Sequence, residues 1–183
     1  MMNERDRILS HMERFFGSCV GSPRTVADAG VRFVERLGLR RRDVVTWSTW
    51  GMSDTPLTQR RSGRMVKLEL VFACDARYAC DEIPMAMSLV SEESVRSGIA
   101  PDMFTLWPMP AFPGTAFVSL LLYPPCLWDD ASAQVEGTSV PTLVGYLMPL
   151  SLTETRLVGE EGVAALEDYL EGEQVDVLDL ARP

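Results

Sequence analysis

The clearest pattern of apolar and polar positions in this chain predicts two strands that flank a short turn. The first strand, Val44–Trp50, is a run of β-branched and aromatic residues, which favour a pleated, half-buried surface. The second, Met65–Ala73, alternates: its even-numbered positions are apolar, whereas Lys67 and Glu69 are charged. Because successive side chains of a strand point to opposite faces, this period of two predicts one core face and one wetter face. We expect the two strands to pair in the middle of a sheet.

The residues between these strands, Gly51–Pro56, have the composition of a sharp and fixed turn. Gly51 permits backbone angles that other residues resist, and the side chain of Asp54 can accept hydrogen bonds from nearby N–H groups. We therefore interpret this motif as structural, and not as a binding or catalytic site. It consists of Trp50, Gly51, Met52, Ser53 and Asp54.

Helical periodicity is strongest at the N-terminus, where apolar residues from Ile8 to Phe16 predict an amphipathic helix within residues 1–17. The glycine and proline of Ser18–Arg24 predict a loop. Residues 26–37 fit a helical face and a strand face equally well, so periodicity alone leaves both open. One α+β domain accounts for the whole pattern.

The second half of the chain continues the mixture of helices and strands. The elements predicted there are a helix over 85–97, strands over Ala116–Tyr123 and Thr142–Met148, and two short helices between Thr153 and Leu170. Pro149 should end the second of these strands, because proline cannot donate a hydrogen bond to a neighbouring strand. Gly159 and Gly162 should divide the helical segment.

Composition limits the possible functions. With 183 residues, the chain suits a single domain, and no segment approaches the ~20 apolar residues that cross a bilayer. Its N-terminus lacks the apolar run of a secretory signal, so we expect a cytoplasmic protein whose four cysteines are free thiols. The net charge of −9 disfavours nucleic acid as a partner and suits a basic protein.

Recognisable catalytic motifs are missing from the sequence. The one histidine, His11, is interpreted as a surface residue of the N-terminal helix, and no metal or other cofactor is expected. A carboxylate-dependent enzyme stays open, because Glu69, Asp54 or Asp81 could meet in space.

Several stretches together resemble the suppressor of fused (Sufu) domain family, in its bacterial single-domain type. They are Thr46–Leu57, Val66–Val71, Phe112–Phe117, Leu121–Pro125, Met148–Leu150, the helical segment from Glu154 to Leu170, Asp176–Asp179 and Arg182–Pro183. The similarity runs over most of residues 44–183. It implies an α+β fold with a central, mostly antiparallel sheet flanked by helices, no enzymatic activity, and a strand at Val31–Leu37.

The same resemblance implies a protein-binding function. Bacterial single-domain relatives are thought to act as immunity proteins, which neutralise a toxin encoded nearby, and the acidic balance suits a basic nuclease toxin. The alternatives are an adaptor that binds a peptide or regulator at a sheet edge, and the carboxylate-dependent enzyme. Exposed acids are the candidate partner contacts: Asp129, Asp130, Glu160 and Glu161.

Overall fold

The computed structural model describes residues 2–25, 31–37, 43–109 and 115–182 of the chain. Within these residues there are four α-helices: α1 (Glu4–Phe16), α2 (Glu82–Ser97), α3 (Leu152–Glu161) and α4 (Val163–Gly172). The ten strands of the same part are β1 (Cys19–Thr25), β2 (Arg32–Leu37), β3 (Val44–Trp50), β4 (Leu57–Gln59), β5 (Met65–Asp75), β6 (Ile99–Ala100), β7 (Leu106–Pro108), β8 (Phe117–Tyr123), β9 (Gln134–Val135) and β10 (Thr142–Ser151).

The two strands predicted around the turn, β3 and β5, pair with each other and lie at the centre of the sheet. They are antiparallel, with Trp47 opposite Phe72. The order of the main sheet is β1-β2-β3-β5-β10-β8-β7. Its neighbours are antiparallel except β5 and β10, which run parallel. The α+β fold with a mostly antiparallel sheet is confirmed.

Both faces of the central strand β5 are covered, so the predicted wetter face is wrong. Leu68, Leu70 and Phe72 belong to the apolar cluster that includes α2. Val71 and Ala73 belong to a second cluster, to which α1, α3 and α4 contribute. Helices therefore pack on opposite faces of the sheet. Strands that pair in parallel are commonly buried on both faces, and β5 pairs in parallel with β10.

The predicted N-terminal helix is confirmed as α1, and the predicted strand Val31–Leu37 is confirmed as β2. Asn3 caps α1, since its Oδ1 accepts a hydrogen bond from the N–H of Asp6 at 2.8 Å. The loop predicted for Ser18–Arg24 is wrong, because these residues lie largely in the edge strand β1. Proline and glycine are tolerated at a sheet edge, where one side of the strand needs no partner.

Two predicted breaks in the second half of the chain are also wrong. Strand β10 continues through Pro149, which lies opposite Leu120. Its pairing with β5 extends only to Tyr146, so at the proline β10 has a neighbour on one side alone. Helix α3 likewise continues through Gly159, and the helices are separated only at Gly162, whose φ is +91°.

The described residues contain no helix long and apolar enough to span a bilayer. All four cysteines are free thiols. Three features of the sequence lie outside the described residues: the segment 26–30, the triple arginine at 40–42, and the part of the Sufu resemblance at 112–114.

Candidate functional site

The signature turn between β3 and β4 is a single 3₁₀ turn, Met52–Asp54, entered through a left-handed glycine. Gly51 has φ +90°, and its carbonyl accepts a hydrogen bond from the N–H of Asp54 at 3.1 Å. Met52 is fully buried and packs in the core cluster beneath α2. The turn is therefore anchored in the protein interior and is not a free loop.

The carboxylate of Glu69 holds this turn against β5. Its Oε1 accepts hydrogen bonds from the N–H of Gly51 at 3.2 Å, and from the N–H and hydroxyl of Ser53 at 3.1 and 2.6 Å. Its Oε2 accepts a hydrogen bond from the hydroxyl of Thr49. That hydroxyl oxygen in turn accepts from the N–H of Leu70 at 2.9 Å. The network thus joins β3, the turn and β5.

Glu69 has the acceptor function that the sequence suggested for Asp54. Glu69 is 2% exposed, whereas Asp54 is exposed to solvent. Burial raises the pKa of Glu69 above its ordinary value, although the hydrogen bonds from Ser53 and Thr49 oppose that shift by favouring the carboxylate. The cavity beside the turn, bordered by Arg5 and Leu9 of α1, has a volume of only about 10 Å³. Such a space holds at most one water, so it has no room for a small-molecule ligand.

A buried ion pair between Arg182 and Glu154 secures the C-terminus. The guanidinium of Arg182 donates from Nε to Glu154 Oε1 at 2.9 Å and from Nη1 to the carbonyls of Val177 and Asp179. Glu154 also closes a capping box with Ser151 at the start of α3. A hydroxyl residue followed three positions later by Glu is the sequence pattern that could have identified this capping box, but not the contact with Arg182.

The four candidate partner contacts are exposed but lie on two different elements. Asp129 accepts a hydrogen bond from the N–H of Ala131 at 3.0 Å and caps a 3₁₀ turn that begins at Asp130. Glu160 and Glu161 form the end of α3. Asp129 therefore caps a local turn, whereas the two glutamates are exposed surface groups on a helix.

The acidic surface continues from α3 along α4 and beyond it, past the two glutamates named from the sequence. We call the two helices, from Leu152 to Gly172, the acidic helix pair. Further exposed acids on it and directly after it are Glu167, Asp168, Glu171, Glu173 and Asp176. Arg156 is the one basic residue between positions 152 and 176. This charge excess produces a negative surface that favours a basic partner.

An exposed aromatic residue, Phe104, lies beside the acidic helix pair and packs on Tyr123. The hydroxyl of Tyr123 donates a hydrogen bond to the carboxylate of Glu167 on α4. The ring of Phe104 packs edge-on against Tyr123, with 5.5 Å between ring centroids, and is 46% exposed. Phe104 has φ +69°, an unusual backbone conformation for a bulky residue, and its N–H donates to the carbonyl of Leu122 at 2.7 Å.

Comparison with known proteins places the chain in a family. The family model described as suppressor of fused protein (SUFU) matches residues 31–183. The chain belongs to the suppressor of fused protein family. It is also 24% identical over 147 residues to "Immunity protein YqcF" from Bacillus subtilis strain 168, a match that covers 76% of this chain and 73% of that protein.

The fold is shared with another member of the suppressor of fused family. The crystal structure of a SUFU homologue from Neisseria gonorrhoeae superposes with a TM-score of 0.70. The superposition covers 100% of this chain and 97% of that one at 14% sequence identity. The signature turn lies inside the matched region, so within this suppressor of fused domain the Glu69 network fixes the fold's central corner.

Of the three carboxylates named for enzyme chemistry, Asp54 and Glu69 border the same small cavity beside the signature turn, whereas Asp81 lies elsewhere, so the three do not meet. Glu69 is buried within its own network, and Asp54 lies on the exposed side of the same turn. Asp81 precedes α2, where it forms an exposed ion pair with Arg24 at 3.0 Å. Among the described residues, no group of three or more histidine, cysteine or acidic side chains is arranged to hold a metal ion.

Strand β1 forms one end of the main sheet, where the adaptor hypothesis would place a peptide. Its pairing with β2 is irregular between Val20 and Arg24, and the irregular stretch contains Gly21, with φ +74°, and Pro23. Bulges, prolines and charged residues are the features by which edge strands avoid pairing with other chains. This edge is thus poorly suited to adding a strand.

Proposed function

We propose that this suppressor of fused domain is a non-catalytic immunity protein, which neutralises a cognate toxin by binding it through the acidic helix pair. The observation that carries this proposal is the run of exposed acids on α3 and α4, in a chain similar to a bacterial immunity protein. The buried arrangement of Glu69 supports the non-catalytic part. The cytoplasmic location stays a prediction.

The chemistry of the surface favours a basic toxin domain, such as a nuclease. Opposite charges raise the rate of association and sharpen specificity, but exposed charges alone give little affinity. Phe104 would supply an apolar anchor beside the acidic helix pair, since aromatic residues near the centre of an interface carry much of the binding energy. A stable complex should bury about 1,200–2,000 Å² in total.

Co-expression with the product of the neighbouring gene tests the proposal. The wild-type protein should restore growth of cells that express the toxin, and purified toxin should be captured at low salt more strongly than at high salt. Absence of both rescue and capture at low salt would refute the immunity function.

Charge-reversal variants test the location of the contact. The double variant Glu160→Lys/Glu171→Lys should weaken binding at least tenfold, because it places cations within the negative surface. Glu82→Lys, compared with Glu160→Lys alone, is the matched control: this acid is also exposed, but it lies on α2, on the opposite face of the sheet. Equal effects of the two changes would place the contact elsewhere.

Phe104→Asn tests the anchor while keeping the fold. Asparagine adopts left-handed backbone angles more readily than phenylalanine, so the substitution removes the ring without adding strain. A melting temperature close to that of the wild type, together with a tenfold loss of toxin affinity, is the expected result. Unchanged affinity would exclude Phe104 from the interface.

A further inference from the structure

A groove of about 430 Å³ lies between α1 and the segment 131–136 that contains β9. This volume is within the range of about 300–1,000 Å³ in which proteins hold small molecules. The side chains that give the groove its chemistry are Arg7, Ser10, His11, Arg14, Phe15 and Glu136. The groove is separate from the signature turn, whose small cavity is bordered by other residues of α1.

The groove carries positive charge on a protein whose net charge is −9. Arg7, His11 and Arg14 follow the i, i+4, i+7 spacing and so share one face of α1. Glu136 is the one acid among the lining residues. Neither arginine forms an ion pair with a carboxylate anywhere in the described parts of the chain, so both guanidinium groups are available to a ligand.

The surrounding structure places the two guanidinium groups. Gly137, with φ +71°, leaves space for Arg7: a Cβ at that position would lie 2.6 Å from the Nη1 atom of the arginine. The guanidinium of Arg14 lies over the ring of Phe15, 4.9 Å from its centroid. The guanidinium of Arg7 therefore lies in the space beside Gly137, and that of Arg14 lies against an aromatic face.

His11 lies in the same groove in a defined tautomeric state. Its Nε2 is 2.9 Å from the carbonyl oxygen of Ser132, and its ring packs against Phe15 at 4.7 Å between centroids. A carbonyl oxygen only accepts, so Nε2 carries the hydrogen and Nδ1 is the site that can gain a proton. The histidine predicted as a surface residue is thus half-buried and held in place.

We propose that this groove binds a phosphate group, either free phosphate or the phosphate of a small monoester, between Arg7 and Arg14. The guanidinium fork matches the oxygen atoms of phosphate, and two arginines match the charge of a phosphate dianion. The hydroxyl of Ser10 adds a donor, and Phe15 provides an apolar surface for the organic part of a monoester. No reaction is implied.

Phosphate binding should also change the protonation of His11. Burial lowers the pKa of His11, and the positive charge of Arg14 lowers it further, whereas the Ser132 carbonyl and Glu136 act in the opposite direction. A phosphate dianion near these groups, and near Arg7, favours the imidazolium form. The pKa of His11 should therefore rise when phosphate is bound.

The single histidine makes the test direct, because untagged protein gives one imidazole Hε1 signal in its proton NMR spectrum. This signal is followed during titration with inorganic phosphate and with phenyl phosphate, at an ionic strength held constant with sodium chloride. We expect a saturable shift and a higher pKa of His11 in saturating phosphate. Binding of inorganic phosphate alone would assign the groove to the free ion, and binding of both would assign it to monoesters as well.

Variants on one helix locate the ligand. Arg7→Gln and Arg14→Gln should each weaken phosphate binding tenfold or more, whereas Arg5→Gln, on the same helix but outside the groove, should bind like the wild type. Arg14 is exposed, so its variant should fold normally, which the melting temperature checks. A shift that does not saturate, or an Arg14→Gln titration identical to that of the wild type, would overturn the proposal. The test needs no toxin and stands independently of the immunity function.

Discussion

Glu69 accepts hydrogen bonds from both the backbone N–H and the hydroxyl of Ser53, at 3.1 and 2.6 Å. This contact connects two stretches of the sequence resemblance, the turn within Thr46–Leu57 and the segment Val66–Val71 of β5. One buried carboxylate thereby gives the signature motif its shape. The acids that are candidates for partner binding lie on other elements of the fold.

Two substitutions of Glu69 should show how much stability its acceptor oxygens contribute. Glu69→Ala should lower the free energy of unfolding by about 3 kcal/mol, because it leaves the donors of Gly51, Ser53 and Thr49 unpaired. Glu69→Gln keeps one carbonyl acceptor and should cost about 1 kcal/mol at pH 5. Urea denaturation at pH 5 measures both values, and an equal loss in the two variants would refute the network.

The stability conferred by Glu69 should depend on pH. Its pKa is raised by burial, so the folded protein retains this proton at pH values where the unfolded chain, with an ordinary pKa of 4.5, has lost it. Stability then falls as pH rises from 4.5 through the raised folded-state pKa. The stability of the wild type relative to Glu69→Gln should therefore decline over this window in urea melts. An increasing difference would show that the hydrogen bonds outweigh burial.

Two glycines offer a matched test of backbone conformation. Gly51→Ala should destabilise the protein by about 1–2 kcal/mol, because its φ of +90° is unfavourable for a residue with a Cβ. Gly159→Ala should instead stabilise it by about 1 kcal/mol, since this glycine lies inside α3 and an added Cβ meets nothing within 4 Å. Thermal melting of the two variants checks the opposite signs. A stabilising Gly51→Ala would contradict the left-handed turn.

Removal of the buried charge at Arg182 should be costly. Arg182→Met leaves Glu154, which is 1% exposed, without its cation and should cost about 3–5 kcal/mol. Adding Glu154→Gln should recover part of that loss, because glutamine is uncharged and can still close the capping box. Arg61→Ala breaks an exposed ion pair with Asp102 and should change stability by about 0.5 kcal/mol or less. If the double variant is less stable than Arg182→Met alone, the unpaired charge is not the cause.

The four free cysteines should differ in reactivity. Burial raises the pKa of Cys74 to about 12, and this side chain is 0% exposed, so at pH 8 it has neither the thiolate form nor access to reagent. Cys126 is exposed and should react first with a thiol reagent. At most three thiols should be modified in the native protein, and unfolding in denaturant should expose the fourth to the reagent. Modification of Cys74 in the cysteine-to-serine background of the other three would contradict the core packing.

The strands that could be predicted were those whose local pattern and global environment agree. In β3 and β5, β-branched residues and strict alternation coincide with their central positions. The breaks predicted at Pro149 and Gly159 were wrong, because the effect of a proline or glycine depends on the strands and residues around it. At Pro149 the strand has a neighbour on one side only, and around Gly159 the other residues sustain the helix.

The candidate surfaces, too, were predictable only where the local sequence was sufficient. The exposure of Glu160 and Glu161 was predictable from their charge, and the sharp turn after Trp50 was predictable from Gly51. Neither Glu69 as the acceptor of that turn nor the cluster of Arg7, His11 and Arg14 opposite β9 could be identified, because each depends on contacts between distant parts of the chain.

The sequence alone thus determined the local propensities of this suppressor of fused protein: the central pair of strands, the glycine turn, the N-terminal helix and an acidic C-terminal region. Tertiary structure decided which polar residues were removed from water, and therefore which acids support the fold and which remain free to meet a partner. The physical reason is that local propensity depends on residues a few positions apart, whereas burial depends on packing between elements that are distant in sequence. His11 and Ser132, for example, are 121 positions apart.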